Sequence, residues 1–183
     1  NVWDTNYVGV WHLSQTSGLI LDSTSNDLDL TKSGAAANSN GKIDGCYDFE
    51  YDDADEMTKT HESVLNITNS ISIESWVKPE GSQAEFAKIL YKQGSTEIPY
   101  ELDFGGSAND TVNITLYNGS NFYSEWSTTE LNQEVWYYIS GTYDDTNLKV
   151  YINGSQQSST NIGDIDISTS TGNLEIGGNS TVS

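Results

Sequence analysis

Three stretches carry side chains able to bind or react. Asp22-Ser-Thr-Ser-Asn26-Asp27 packs carboxylate, amide and hydroxyl oxygens into six residues. Oxygen donors at such spacing suit a hard cation, calcium above all, with Asp22 the leading ligand, Asn26 second and Asp27 beside them. The loop is not an EF-hand, because Asp27 stands where that loop needs glycine and no glutamate closes it. The same residues also read as a solvated Asx turn. A second acidic run, Asp48, Glu50, Asp52, Asp53, Asp55 and Glu56, places six acids in nine residues. Such runs are mostly solvated faces, and Asp48 and Glu50 point outward if Phe49 points in. The third stretch, Asn118-Gly-Ser-Asn-Phe-Tyr-Ser-Glu-Trp126, mixes rings with amides and hydroxyls. Aromatic faces cover the apolar side of a sugar while amides bond its hydroxyls, so Trp126, Tyr123 and Asn121 are candidate glycan-binding residues.

Other candidates are weaker. Six Asn-x-Ser/Thr sequons start at Asn66, Asn109, Asn113, Asn118, Asn153 and Asn179. The cluster at 109–118 suggests an exposed, sugar-coated hairpin in an exported protein. Asn153 is the poorer acceptor because Asn153-Gly154 reads as a tight turn. His12 and His61 have no nucleophile motif around them, and the lone Cys46 reads as a core filler.

Composition excludes several classes. The 183 residues carry seven lysines, no arginine and 27 acids, for a net charge of −20. That charge repels phosphate backbones and anionic bilayers, so neither nucleic acid nor membrane is an expected partner. No apolar run is long enough to span a bilayer. One cysteine cannot form an internal disulfide, and one Cys with two His cannot build a structural zinc site. The length suits a single domain over residues 1–183. A chain beginning at Asn1 rather than Met is expected to be a piece of a longer protein or one that has lost a leader.

The elements that must position these residues are strands. Period-2 alternation or β-branched and aromatic enrichment marks 7–13, 70–77, 87–92, 100–104, 110–117, 121–126, 135–143 and 147–152. Asn118-Gly119, Asp144-Asp-Thr-Asn147, Asn153-Gly154 and Gly177-Gly178 supply the turns. No helical period persists, and 130–136 makes one turn at most. Many short strands at this spacing predict an all-β, antiparallel sandwich or barrel. Trp11, Trp76 and Trp136 lie in strand patterns and read as core.

Three blocks in order then resemble one family. They are Gly41-Lys-Ile-Asp-Gly-Cys-Tyr-Asp-Phe49 running to Asp53, Ile71-Ser-Ile-Glu-Ser-Trp-Val-Lys-Pro79, and Val135-Trp-Tyr-Tyr-Ile-Ser-Gly-Thr-Tyr-Asp144 with Leu148 to Gly154 and Leu174 to Gly178. The chain is similar to the laminin-G-like, concanavalin A-like lectin/glucanase jelly rolls of large archaeal and bacterial surface proteins. The resemblance implies a two-sheet β-sandwich of jelly-roll type, lacking the family's last strand. Cys46 replaces the family's usual small residue. The Asp22 loop resembles one that helps hold calcium in some members. Glycosidase relatives carry a Glu-x-Asp-x-x-Glu strand, which is not found here; the nearest acid-rich strand is Asp164-Ile-Asp166. The expectation is therefore a non-catalytic recognition or adhesion module of an extracellular or cell-surface protein, with a polysaccharide or cell-surface glycan as partner. The alternative is a domain of an extracellular filament, sheath or spike, completed by a strand from a neighbouring subunit.

Overall fold

In the computed structural model, residues 2–38, 40–50, 55–81, 86–94, 96–105 and 110–178 are described. Asn109, Asn179, Asp52 and Asp53 lie outside them. Among the described residues, thirteen strands account for nearly all regular structure. They are β1 (Thr31–Ser33), β2 (Ala36–Asn38), β3 (Cys46–Asp48), β4 (Glu56–Lys59), β5 (Ile71–Val77), β6 (Lys88–Lys92), β7 (Tyr100–Phe104), β8 (Val112–Tyr117), β9 (Phe122–Trp126), β10 (Tyr137–Tyr143), β11 (Asn147–Ile152), β12 (Ser155–Asn161) and β13 (Leu174–Gly177). One 3-10 turn, Ser63–Leu65, precedes β5.

Seven strands form one sheet in the order β1-β4-β13-β6-β7-β8-β9, and four form the other in the order β12-β11-β10-β5. β2 and β3 pair separately. All pairings are antiparallel. The Asn153-Gly154 turn between β11 and β12 has φ of 51° and 77°, as a type I′ hairpin requires. The β-sandwich inferred from alternation is therefore the fold.

The two inner faces carry the core. Ile71 and Ile73 of β5, Ile139 and Tyr143 of β10, and Leu148, Val150 and Ile152 of β11 face Tyr100, Leu102 and Phe104 of β7 and Val112, Ile114 and Leu116 of β8. Each set occupies every second position, as the pleat dictates. The sheets approach closely at Gly141. A β-carbon there would lie 2.7 Å from Ile114 Cβ and Cδ1. Ile114 is fully buried and cannot withdraw. This explains a glycine in the middle of the best-patterned strand.

Buried tyrosines tether the loops. Tyr143 Oη donates to Gly163 O and accepts from Ile165 N, both at 2.8 Å. Tyr100 Oη donates to Leu65 O at 2.9 Å. Lys92, with no exposure, donates to Gly172 O and to Ser170 Oγ at 3.2 Å, closing the turn before β13. Burial pulls its ammonium down to about 8.

Residues 7–13, expected as a strand, make only the single bridge Trp11–Asp22. Side chains hold this segment instead. Trp11 Nε1 donates to Leu28 O at 2.8 Å. Asp22 Oδ1 accepts from Val10 N and Thr24 N, both at 2.9 Å. Its Oδ2 accepts from Thr24 Oγ1 at 2.7 Å and Leu28 N at 3.0 Å. Burial raises the Asp22 carboxyl, but the bonds from Val10, Thr24 and Leu28 together outweigh it and hold the group below 3.8.

Two outcomes follow from this packing. Gly141→Ala is expected to lower stability by about 1–3 kcal/mol through overpacking, read as a shift in the urea midpoint at unchanged slope. Asp22→Asn keeps the volume but replaces one acceptor with a donor, and is expected to lose about 2 kcal/mol at neutral pH. The wild-type advantage is full above pH 3.8 and fades as pH falls through the lower folded value, so the two melting curves should converge in acid.

Candidate functional site

The second face of β6 to β9, turned away from the core, gathers the remaining chemistry. Glu101 and Asp103 stand there on β7, because the intervening Leu102 points inward. Register then sets Lys88 beside Asp103, Asp103 beside Asn113, and Asn113 beside Trp126, one residue from each of four strands. A parallel line runs Tyr91, Glu101, Thr115, Ser124.

Hydrogen bonds knit these lines together. Lys88 Nζ donates to Glu101 Oε2 at 2.5 Å and to Asp103 Oδ2 at 3.1 Å. Asn113 Nδ2 donates to Thr115 Oγ1 at 2.9 Å, and the Thr115 and Ser124 hydroxyls share a bond of 2.8 Å. Tyr91 Oη donates to Glu175. The polar line is deeply buried: Asp103 is 0% and Asn113 1% exposed. Two acceptors, Asp103 Oδ1 and Asn113 Oδ1, have no hydrogen-bond partner among the described residues. Burial, and then the Glu101 charge, push the Asp103 carboxyl up to about 7 against the pull of Lys88 and of the Asn113 side chain.

Aromatic rings border this line. Trp126 is 38% and Phe86 45% exposed, and their centroids are 6.2 Å apart in an edge contact. A β-carbon on Gly105 would come within 2.6 Å of the Trp126 ring, so that glycine makes room for the indole. Lys88 Nζ lies 5.8 Å from the Phe86 centroid. Farther along β9, Phe122 is exposed and stacks on Tyr117 at 4.6 Å. Phe122, Ser124 and Trp126 share one face because they are two residues apart.

The expected glycan trio does not stay together. Trp126 faces outward, but Tyr123 lies on the opposite face, half-buried against the core and opposite Leu116. Three residues separate them, and an odd separation inverts the face. Asn121 lies in the hairpin turn, where its N–H donates to Asn118 Oδ1 at 2.8 Å. Phe86, Lys88, Glu101 and Asp103 escaped the sequence reading. The Glu-Leu-Asp triplet was the available signal, since its carboxylates must share a face.

Two of the expected core tryptophans lie elsewhere. Trp11 does bridge both apolar clusters. Trp76 sits on the outer face of the four-stranded sheet, 5.4 Å from Tyr138 and under Lys42 at 5.2 Å. Its position is odd-numbered steps from Ile71 and Ile73, so the pleat sends it outward. Trp136 is half-buried and joins neither cluster.

At the expected cation loop, all four Asp22 bonds come from the chain itself. Asn26 Nδ2 donates to Val8 O at 2.9 Å, and Asp27 O accepts from Lys59 Nζ at 3.3 Å. Calcium at Asp22 would have to displace bonds that hold the loop. In the second acidic run, Asp48 and Glu50 meet Glu80 with ligand atoms within 4.8 Å. Lys78 bonds Glu80 of that group and also Glu134, at 2.9 Å each. A cleft of about 420 Å³ lies alongside, lined by Gly34, Ala36, Asp48, Glu50 and Asp55. Cys46, half-buried on β3, has its thiol raised by burial.

The sequons divide by environment. Asn113 is buried with its amide nitrogen committed to Thr115, leaving no room for a sugar. Asn118 is half-buried, and its Oδ1 accepts from Ser120 N and Asn121 N. Asn66 Oδ1 accepts from Ser170 N at 3.1 Å. Asn153 Oδ1 accepts from Tyr138 N at 3.0 Å in its turn.

Hydrolysis of a glycosidic bond needs one carboxyl free to give a proton and a second free to act as base or nucleophile. Glu101 and Asp103 share a face, but both accept from one ammonium. Asp164 and Asp166 are exposed on a loop.

Known structures share this architecture. The binding domain of Paraclostridial Mosquitocidal Protein 1 superposes with a TM-score of 0.72 at 12% identity, covering 94% of this chain and 43% of that one. Domain 4 of AbnA, a GH43 extracellular arabinanase from Geobacillus stearothermophilus, solved with arabinotriose, gives 0.66 at 19% identity, covering 86% and 77%. The receptor binding domain of botulinum neurotoxin C/D mosaic serotype gives 0.68 at 14%, covering 90% and 41%. The chain thus spans less than half of either toxin domain, and at these identities the likeness concerns the fold. No curated protein matches the chain. Residues 52–183 match the family model of the concanavalin A-like lectin/glucanases superfamily. With its fold and most of its length in agreement, this chain belongs to the concanavalin A-like lectin/glucanase superfamily.

Proposed function

We propose that the chain is a non-catalytic recognition module of an extracellular or cell-surface protein, and that it binds uncharged glycans. The observation that carries this reading is the pair of half-exposed rings, Phe86 and Trp126, beside hydrogen-bonding groups on β8 and β9. Such rings cover the apolar face of a sugar, and neighbouring hydroxyls and amides orient it. The arabinotriose-bound domain of similar fold supports the reading without fixing the sugar. Anionic sugars are disfavoured because every lysine already has a partner. Lys32, Lys42, Lys59, Lys78, Lys88, Lys92 and Lys149 bond carbonyls or carboxylates or lie over rings.

A second reading rests on β5. Among the described residues it pairs on one side only, with β10, and its alternating Ile71 and Ile73 continue the core to that edge. The opposite edge, β12, is Ser-Gln-Gln-Ser-Ser-Thr-Asn and offers a neighbour no apolar side chain to bury. A neighbouring strand could extend the sheet at β5, making the domain a building block of an assembly.

A glycan array with the purified domain in millimolar calcium is expected to give saturable binding to a neutral polysaccharide. Trp126→Ala and Phe86→Ala should each weaken it by at least about tenfold, the equivalent of one stacking contact. Tyr123→Phe should leave it unchanged. A blank array refutes glycan recognition. For the second reading, light scattering after chromatography should show concentration-dependent association; a strict monomer refutes it.

A further inference from the structure

Lys88 is poorly explained as a surface ion pair. Its side chain is 9% exposed, that of Glu101 11% and that of Asp103 0%. Lys88 and Asp103 are register partners on adjacent strands, so the pleat fixes their Cβ atoms side by side. Nζ lies 3.1 Å from Asp103 Oδ2, and Glu101 Oε2 lies 2.5 Å from the same nitrogen. One amine thus sits between a carboxyl group it can attack and a carboxylate that can take its proton.

We propose that Lys88 and Asp103 are joined by an intramolecular amide bond, with Glu101 as the proton acceptor that frees the amine. The inference is independent of the glycan reading. Three features of the site favour the condensation. First, two charges out of water are costly, and conversion to a neutral amide and a released water removes both. Second, the amine is already in hydrogen-bond contact with the carboxyl it attacks, and register holds the two residues side by side, so little orientation entropy remains to be lost. Third, Asp103 Oδ1 and Asn113 Oδ1 are buried acceptors lacking a donor, on register-paired residues. A proton on Asp103 Oδ1 supplies that donor, and the raised carboxyl keeps a protonated fraction present at neutral pH. Protonation also makes Cγ the better electrophile.

The step balances without an oxidant or cofactor. The Lys88 ammonium passes a proton to Glu101. The Nζ lone pair attacks Cγ of protonated Asp103, and the carbonyl pair moves onto Oδ2. Glu101 returns its proton to Oδ1 and takes one from the nitrogen. The Cγ–Oδ1 bond breaks, water leaves, and the carbonyl re-forms at Oδ2. The products are one secondary amide, one water and a protonated Glu101 that re-equilibrates with solvent. In a chain whose single cysteine excludes an internal disulfide, this bond would be its covalent brace between strands.

Intact mass spectrometry of the folded chain, produced in a host that does not glycosylate it, tests the proposal. The expected mass is that of the sequence less one water, with one branched proteolytic peptide joining the Lys88 and Asp103 segments. Lys88→Ala, Asp103→Ala and Glu101→Gln should each show their full sequence mass. Dehydration at Asp44-Gly45 to a cyclic imide gives the same mass change, so the branched peptide is the deciding observation. A wild-type chain that is β-rich by circular dichroism and retains its full mass after prolonged incubation at pH 7 overturns the proposal. So does a loss of water located anywhere but Lys88 and Asp103. Cross-linking that persists in Glu101→Gln overturns the role given to Glu101. The wild-type mass needs no variant to fold, so the test stands even if the alanine variants do not.

Discussion

The pleat of an extended strand sends neighbouring side chains to opposite faces, and nearly every feature of this molecule depends on it. It gives β5, β7, β8, β10 and β11 an apolar face each, and packing those faces together makes the sandwich. The same rule puts Glu101 and Asp103 on one side of β7 and commits Leu102 to the other. It separates Tyr123 from Trp126 across the thickness of a sheet. It also makes Gly141 necessary, since the inward position it occupies faces Ile114 with no room for a side chain.

Burying strands leaves the loops to be fixed by polar groups, and this chain uses few kinds. Tyrosine hydroxyls reach out of the core to carbonyls of Leu65 and Gly163. Lys92 does the same for the turn before β13, at the expense of a desolvated ammonium. Asp22 ties Val10, Thr24 and Leu28 together through four acceptor bonds, holding residues 10–28 in place with only isolated bridges between them. Each anchor fills a buried polar requirement that water would otherwise meet.

The long strands were legible because their alternation is nearly unbroken from Ile71 to Val77 and from Leu148 to Ile152. β1 and β2 were not, because Thr-Lys-Ser and Ala-Ala-Asn have three residues each and no apolar alternation. Pairing with β4 and β3 makes them strands. Trp76 was misplaced because large aromatic residues are common in cores, although its own spacing from Ile73 already pointed outward. The site was only half legible. Trp126 could be found from local composition, but Phe86 reaches it from forty residues earlier in sequence, just ahead of β6, whose place in the sheet is set by pairing between strands. Lys88 is likewise brought to Asp103 by pairing that no local pattern encodes.

The charge of the molecule then narrows what such a face can meet. With 27 acids against seven lysines, every lysine is engaged. Lys149 is held by Asp144, whose carboxyl its bond lowers to about 2, and the paired Lys78 lies between Glu80 and Glu134. An anionic ligand approaching Trp126 meets a field that salt screens beyond roughly 8 Å but that persists at contact. A neutral, hydroxyl-rich ligand meets no such barrier, because the rings and the Thr115–Ser124 pair carry no charge. On the glycan reading proposed above, the negative surface would filter ligand class, and selection within that class would fall to the uncharged edge formed by Phe86, Trp126 and Phe122.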